Sequence, residues 1–204
     1  MENISALIDI KKNTDTLIVA FSGHALQFGM IPVFEFYTFL HKHYPLYNKH
    51  FYIDRNLKHY HYGIQGISDS VESTVEYLKD KVKDYKKVIF MGVSSGGYAA
   101  ILFGSLVNVT SVISFIPQTI LRGEGLDPNY KNIKKYINTT TIYNVYGDPN
   151  IQNPLDCHHM SHCDNISEFP NVIIHKVPDC TEMSKVKRSG QLLDIITNCI
   201  NNIK

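Results

Sequence analysis

Short apolar runs alternate with helix-length segments along the chain, and their order predicts an α/β protein. Residues 16–21, Thr-Leu-Ile-Val-Ala-Phe, are β-branched and apolar, end at Ser22-Gly23, and read as a buried strand. Comparable runs predict strands at 50–54, 87–91, 111–116, 139–146 and 171–177. Most of these stop at turn-forming residues: Arg55-Asn56, Gly92, Pro117, Gly147-Asp148-Pro149 and Pro178. The clearest helix is 68–85. Ser68 or Ser70 caps it, Asp69 and Glu72 suit its positive end, and Val71, Val75, Leu78 and Val82 recur at helical spacing. Residues 98–106 are small and apolar over a helix length, and 191–200 form an amphipathic closing helix.

Strands separated by helices predict a doubly wound, mainly parallel sheet with helices on both faces, a three-layer arrangement, in one domain spanning 1–204. In such a sheet the functional loops follow the carboxyl ends of the strands. Those loops are 22–25, 54–62, 94–95, 117–122, 147–162 and 178–184. Segment 118–132, with Gly123, Gly125 and Pro128, is the candidate for a mobile loop over the site.

Composition narrows the function classes. A formal net charge of +1 on 204 residues, with scattered lysines, disfavours nucleic-acid binding. No apolar stretch approaches a membrane span, and Met1-Glu2-Asn3-Ile4 lacks the basic flank of a secretory signal. The four cysteines all fall at or after Cys157 and form no dense framework, so a reduced, cytoplasmic setting is expected.

The chemistry concentrates at Gly92-Val93-Ser94-Ser95-Gly96, with Gly97 behind it. It sits between the 87–91 strand and the 98–106 helix, the strand–turn–helix setting of a nucleophile elbow. Glycines two residues before and after the serine remove side chains where strand and helix cross closely. That register selects Ser94 as nucleophile, because Ser95 would place Val93 in a slot needing glycine. The backbone N–H groups of Ser95 and of Gly23 or His24 are the expected oxyanion donors. The plainer alternative is a glycine-rich turn without chemistry.

The elbow and its flanking strands resemble the α/β-hydrolase fold. Gly-Val-Ser-Ser-Gly-Gly-Tyr-Ala-Ala-Ile-Leu-Phe-Gly, followed by Ser-Phe-Ile-Pro-Gln-Thr at 114–119, is similar to small bacterial α/β-hydrolase-like proteins linked with polysaccharide or glycan modification. Asp54-Arg55-Asn56 and residues 60–66 are similar to a segment of the same group. The resemblance spans roughly 17–193. It implies a serine nucleophile, an acid after a late strand and a histidine after the last strand.

Ser94 fills the first role. For the acid, Asp156 precedes His159 in an Asp-x-x-His pattern that resembles the narrower family, while Asp148 lies in a Gly-Asp-Pro turn and has a structural alternative. The resemblance places the late histidine at or next to Glu182, yet no histidine follows His175. A serine hydroxyl is a poor nucleophile without a base of matched pKa. The substitutes are His159 or His158 from the acid loop, His24 after the first strong strand, and Glu182 itself. The set carried forward is Ser94, Asp156 and His159, with His24, Asp148 and Glu182 as alternatives.

Residues 156–163 also permit a zinc reading. If helical, His158 with His162, or His159 with Cys163, would share a face, but a distant fourth ligand would be needed. No cofactor or metal is therefore assigned. His41, His43, His50, His59 and His61 interleave with tyrosines and read as amphipathic surface, with the lining of a sugar or acyl pocket as the alternative. The expected function is ester or acyl hydrolysis through an acyl-enzyme on Ser94, acting on a small or glycan-linked acyl substrate. Its rival is a hydrolase-fold binding or accessory protein in glycan assembly, favoured by the missing late histidine.

Overall fold

A computed structural model describes residues 6–24 and 33–201. The readings made on Met1 to Ile4 and on Ala25 lie outside the described residues.

Seven strands form one sheet: β1 (Leu7–Ile10), β2 (Thr16–Phe21), β3 (Asn48–Tyr52), β4 (Lys87–Val93), β5 (Ser111–Phe115), β6 (Ile142–Gly147) and β7 (Val172–Lys176). Their spatial order is β1-β3-β2-β4-β5-β6-β7. Only β1 is antiparallel, pairing Leu7 with Tyr52 and Ile10 with Lys49; all other neighbours run parallel. The chain moves outward from β2 to β3, then returns to place β4 on the other side of β2. Reversal of strand order opens a crevice at the carboxyl ends of β2 and β4. Ser22-Gly23 and Ser94 stand at those two ends.

The doubly wound expectation holds. One core cluster joins Leu17, Val19 and Phe90 of the sheet to Val71 and Leu78 of α2 (Val71–Val82) and to the apolar side of α3 (Ser95–Val107). The opposite face packs Ile18, Met91 and Phe115 against Leu40 of α1 (Tyr37–His43), Val186 and, on the closing helix, Leu192 and Ile196. Two short helices, α4 (Ser161–Asp164) and α5 (Met183–Arg188), precede that closing helix α6 (Gln191–Asn201).

Ser70 rather than Ser68 caps α2, exchanging hydrogen bonds with Ser73 in a capping box. Ser68 Oγ instead accepts from the Ile64 amide at 2.9 Å. The strand expected at 50–54 begins two residues earlier. Asn48 and Lys49 are polar but buried, because Asn48 bonds the Thr14 and Thr16 carbonyls and Lys49 Nζ reaches the Tyr47 carbonyl. The histidines read as surface divide: His50 and His61 are buried, the latter 2.8 Å from the Tyr98 hydroxyl.

Candidate active site

The elbow is built by steric necessity. Ser94 has φ 56° and ψ −120°, a conformation costly for a side-chain-bearing residue. Its amide donates to the Phe115 carbonyl at 2.9 Å, and its carbonyl starts α3 by accepting from Tyr98 at 2.9 Å. A Cβ on Gly92 would fall on the Gly96 carbonyl, and one on Gly96 would fall on the Phe21 carbonyl of β2. The glycines thus let α3 lie against β4 and β2 while the serine projects from the sheet edge.

Ser94 Oγ lies 2.8 Å from His158 Nε2. His158 comes from the loop after β6, where Asp156 folds the chain: its Oδ1 accepts from the His158 amide at 2.8 Å, and its carbonyl accepts from the His159 amide at 3.1 Å. Asp156 Oδ1 also stands 3.9 Å from His158 Nδ1, longer than a hydrogen bond. Burial lowers the His158 pKa below its ordinary 6.5, against the opposing pull of the Asp156 carboxylate. The ring is therefore neutral at pH 7 and able to take a proton.

His159, the histidine carried forward from the sequence, is not the one brought to Ser94. It is half-buried, and its Nδ1 lies 3.0 Å from Ser161 Oγ. The turn at Asp156 brings ring 158 to Ser94 and leaves ring 159 with Ser161. His24 lies near the crevice, but its Nε2 faces Asp54 Oδ2 at 3.5 Å and its ring stacks edge-on against His59. Asp148 anchors a turn: its carboxylate accepts from the Asn150 amide at 3.0 Å and the Thr181 hydroxyl at 2.9 Å. Burial raises its pKa, and those hydrogen bonds outweigh it and bring the net value below the usual range. Glu182 pairs with Lys185 at 2.7 Å on the surface.

Ser95 opens α3, so its amide is one of the first-turn donors that a helix leaves unpaired internally. The second expected donor, Gly23 N–H, donates to Glu35 Oε2 at 2.8 Å, while the Glu35 amide donates to Ser22 Oγ at 3.1 Å. Sequence reasoning missed Glu35. Burial raises its pKa to about 7, moderated by the Gly23 hydrogen bond and by Lys187 of α5. Tyr60 also faces it electrostatically. Protonation of Glu35 therefore favours the folded state. The stability it lends is full below the ordinary carboxyl range and is lost as pH rises through about 7. Glu35→Gln should raise unfolding free energy at pH 8 by roughly 1–3 kcal/mol and leave it nearly unchanged at pH 4, as read from urea midpoints.

Gln118, three residues beyond Phe115 at the end of β5, completes the cluster. Its Nε2 is 3.2 Å from Ser94 Oγ and 3.5 Å from His158 Nε2, and its Oε1 is 2.6 Å from His59 Nε2. Segment 118–132 contains short turns of helix at Pro128–Tyr130 and, just beyond it, Ile133–Tyr136, with an Ile120–Asn132 bridge.

The helical pairs on which the zinc alternative depended do not form, since only Ser161–Asp164 is helical there. His162 Nδ1 accepts from the Ile120 amide, and Cys163 is buried against Met160. Asp156, Cys157 and His158 do bring three donor atoms within 4.8 Å of one another, the one such grouping among the described residues. The four cysteines are free.

No protein-family model and no curated protein matches the sequence. Solved structures do. The capsule O-acetyltransferase of Neisseria meningitidis serogroup A superposes with a TM-score of 0.65 at 15% identity, over 92% of this chain and 89% of that one. The fluorophosphonate-binding serine hydrolase F of Staphylococcus aureus gives 0.53 at 14% identity, over 88% and 83%. A glycosylation-associated protein complex from Streptococcus agalactiae gives 0.56 at 15%, over 91% of this chain but 42% of that one. At these identities the likeness is one of fold. No described helix is long and apolar enough to cross a membrane.

Proposed function

We propose that this chain, an α/β-hydrolase-fold protein, transfers acyl groups through an ester on Ser94. The observation that carries the reading is the 2.8 Å contact between Ser94 Oγ and a neutral imidazole at a strained elbow. In the first half-reaction His158 Nε2 takes the hydroxyl proton as Oγ attacks the acyl carbonyl carbon. The carbonyl π pair moves to oxygen, where the Ser95 amide is placed to stabilise it. Collapse expels the leaving alcohol, which recovers the proton from His158. Water or a sugar hydroxyl then repeats the sequence in reverse on the acyl-enzyme.

Asp156 orients the imidazole through the loop more than through its ring: it holds the His158 amide and biases the Nδ1 proton from 3.9 Å. Asp156→Asn keeps the amide contact, so it should lower turnover by roughly 3- to 30-fold, less than a full triad acid does. The capsule and glycosylation neighbours support an acylated glycan as substrate. The imidazole at 158 supports an enzyme over a purely binding module, because it supplies a base without a histidine after the last strand.

Glu35 sets a pH limit. As a carboxylate it keeps Gly23 N–H and places negative charge beside the developing oxyanion; as a neutral acid it does not repel that charge. Activity should rise with pH through a midpoint below 6.5 as His158 loses its proton. It should fall again as Glu35 ionises around pH 7. Glu35→Gln should remove the alkaline fall and raise the rate at pH 8.5 by about tenfold. Retention of that fall in the variant would separate it from Glu35.

The direct test of the reading uses p-nitrophenyl acetate. Wild type should show a burst and a single acetyl adduct on Ser94, and Ser94→Ala neither. Turnover undiminished in Ser94→Ala would overturn it.

A further inference from the structure

Resting on the assignment of Ser94 as nucleophile, we propose that Gln118 is a catalytic residue whose amide N–H holds Ser94 Oγ through acylation. His59 is the positioning residue that fixes which way that amide faces.

The hydrogen-bond directions leave one consistent arrangement. The Asp156 carboxylate, 3.9 Å from His158 Nδ1, favours the ring proton on that nitrogen, which leaves Nε2 to accept the single proton of Ser94 Oγ at 2.8 Å. Gln118 Nε2, at 3.2 Å, can only donate, and it does so into a lone pair of the same oxygen. The result is a chain running Gln118 N–H to Ser94 O–H to His158 Nε2. In such a chain each donor strengthens the next. When the proton leaves Oγ, the Gln118 bond becomes one to an oxygen bearing negative charge, and such bonds are stronger than neutral ones. The amide thus holds the reacting oxygen more tightly as charge develops, and keeps its own protons throughout.

An amide can flip, and a flipped Gln118 would present its carbonyl to Ser94 and compete with His158 for the proton. His59 prevents this. Its Nε2 lies 2.6 Å from Gln118 Oε1, which accepts only, so the ring proton sits on Nε2. The other nitrogen agrees: Nδ1 is buried with no hydrogen-bond partner, so a proton there would be stranded. Burial also lowers the His59 pKa, keeping the ring neutral beside a second histidine, His24.

The loop that carries His59 spends backbone strain to aim it. Leu57, His59 and Tyr60 all have positive φ, at 51°, 56° and 62°. The Asp54 carboxylate holds this shape by accepting from the amides of Asn56, Lys58 and Tyr60 at 3.0, 2.7 and 2.9 Å. Tyr98 lies edge-on to the ring at 5.5 Å. A residue that merely filled space beside Gln118 would need neither the strain nor the tautomer.

The test is the second-order rate of fluorophosphonate labelling of Ser94 in the full chain, measured across pH. Gln118→Met keeps volume and removes the donor, and should slow labelling on the order of 10- to 100-fold. Gln118→Glu keeps the acceptor for His59, lacks the N–H, and sets a carboxylate beside His158. It should move the acid-side midpoint upward, which places residue 118 beside His158, and it should slow labelling even on the alkaline plateau where His158 is neutral, which the loss of a mere space-filler would not do. His59→Phe should slow labelling less than Gln118→Met, and the double variant should be no slower than Gln118→Met alone, because both act through one bond. Labelling of Gln118→Met at the wild-type rate, an unmoved midpoint in Gln118→Glu, or additive effects in the double variant would overturn the inference. If His59→Phe fails to fold, the two Gln118 variants decide. Failure of the Ser94 assignment looks different: wild type itself would go unlabelled at Ser94.

Discussion

Replacing His158 with alanine should lower kcat/KM for ester turnover by roughly 10³- to 10⁴-fold, while His159→Ala should change it less than about threefold. The contrast follows from one turn. Asp156 accepts the amide of His158 on its side chain and the amide of His159 on its backbone carbonyl, and the consecutive rings reach different partners. Ring 158 reaches Ser94 at 2.8 Å, and ring 159 meets Ser161 at the surface. No other imidazole hydrogen-bonds Ser94 among the described residues, so loss of His158 leaves its hydroxyl proton without that acceptor. Steady-state rates with p-nitrophenyl acetate, beside thermal melts showing both variants folded, check this. Equal losses in both variants would mean that the loop, not the ring, matters.

Gly96→Ala should cost more than about 3 kcal/mol of stability and nearly all activity, although alanine is the better helix former by about 1 kcal/mol. The new Cβ would fall on the backbone of Phe21 and Ser22, where nothing flexible can yield. α3 must then shift away from β2. That moves Ser94 relative to Gly23 and disorders both halves of the crevice. Gly97→Ala should be milder, because its Cβ would meet the Ser114 hydroxyl at 2.7 Å and the Phe115 carbonyl at 3.0 Å. Urea midpoints for the pair check the ranking.

What the residues revealed in advance divides along physical lines. Strands β2, β4 and β5 are buried on both faces, so their apolar runs are continuous and legible. The elbow was legible because close backbone crossing demands glycine at fixed spacing. β1 and α1 were not. β1 is a four-residue edge strand, and α1 is a seven-residue helix with Leu40 as its one buried side chain, so neither develops a clear period. The choice between His158 and His159 had no sequence signal, because neighbouring loop residues differ only in the turn that aims them. Glu35 was hidden for a related reason. It reaches Gly23 across twelve residues of separation, and nothing in the local pattern marks a carboxylate as buried.

Activation of Ser94 is measured most directly by locating the adduct after brief exposure of the folded protein to a fluorophosphonate. Peptide mass spectrometry should find a single modification, on Ser94, absent from Ser94→Ala and strongly slowed in His158→Ala. A folded wild type that takes no adduct, or takes it at Ser95 or elsewhere, would contradict a nucleophile at the elbow.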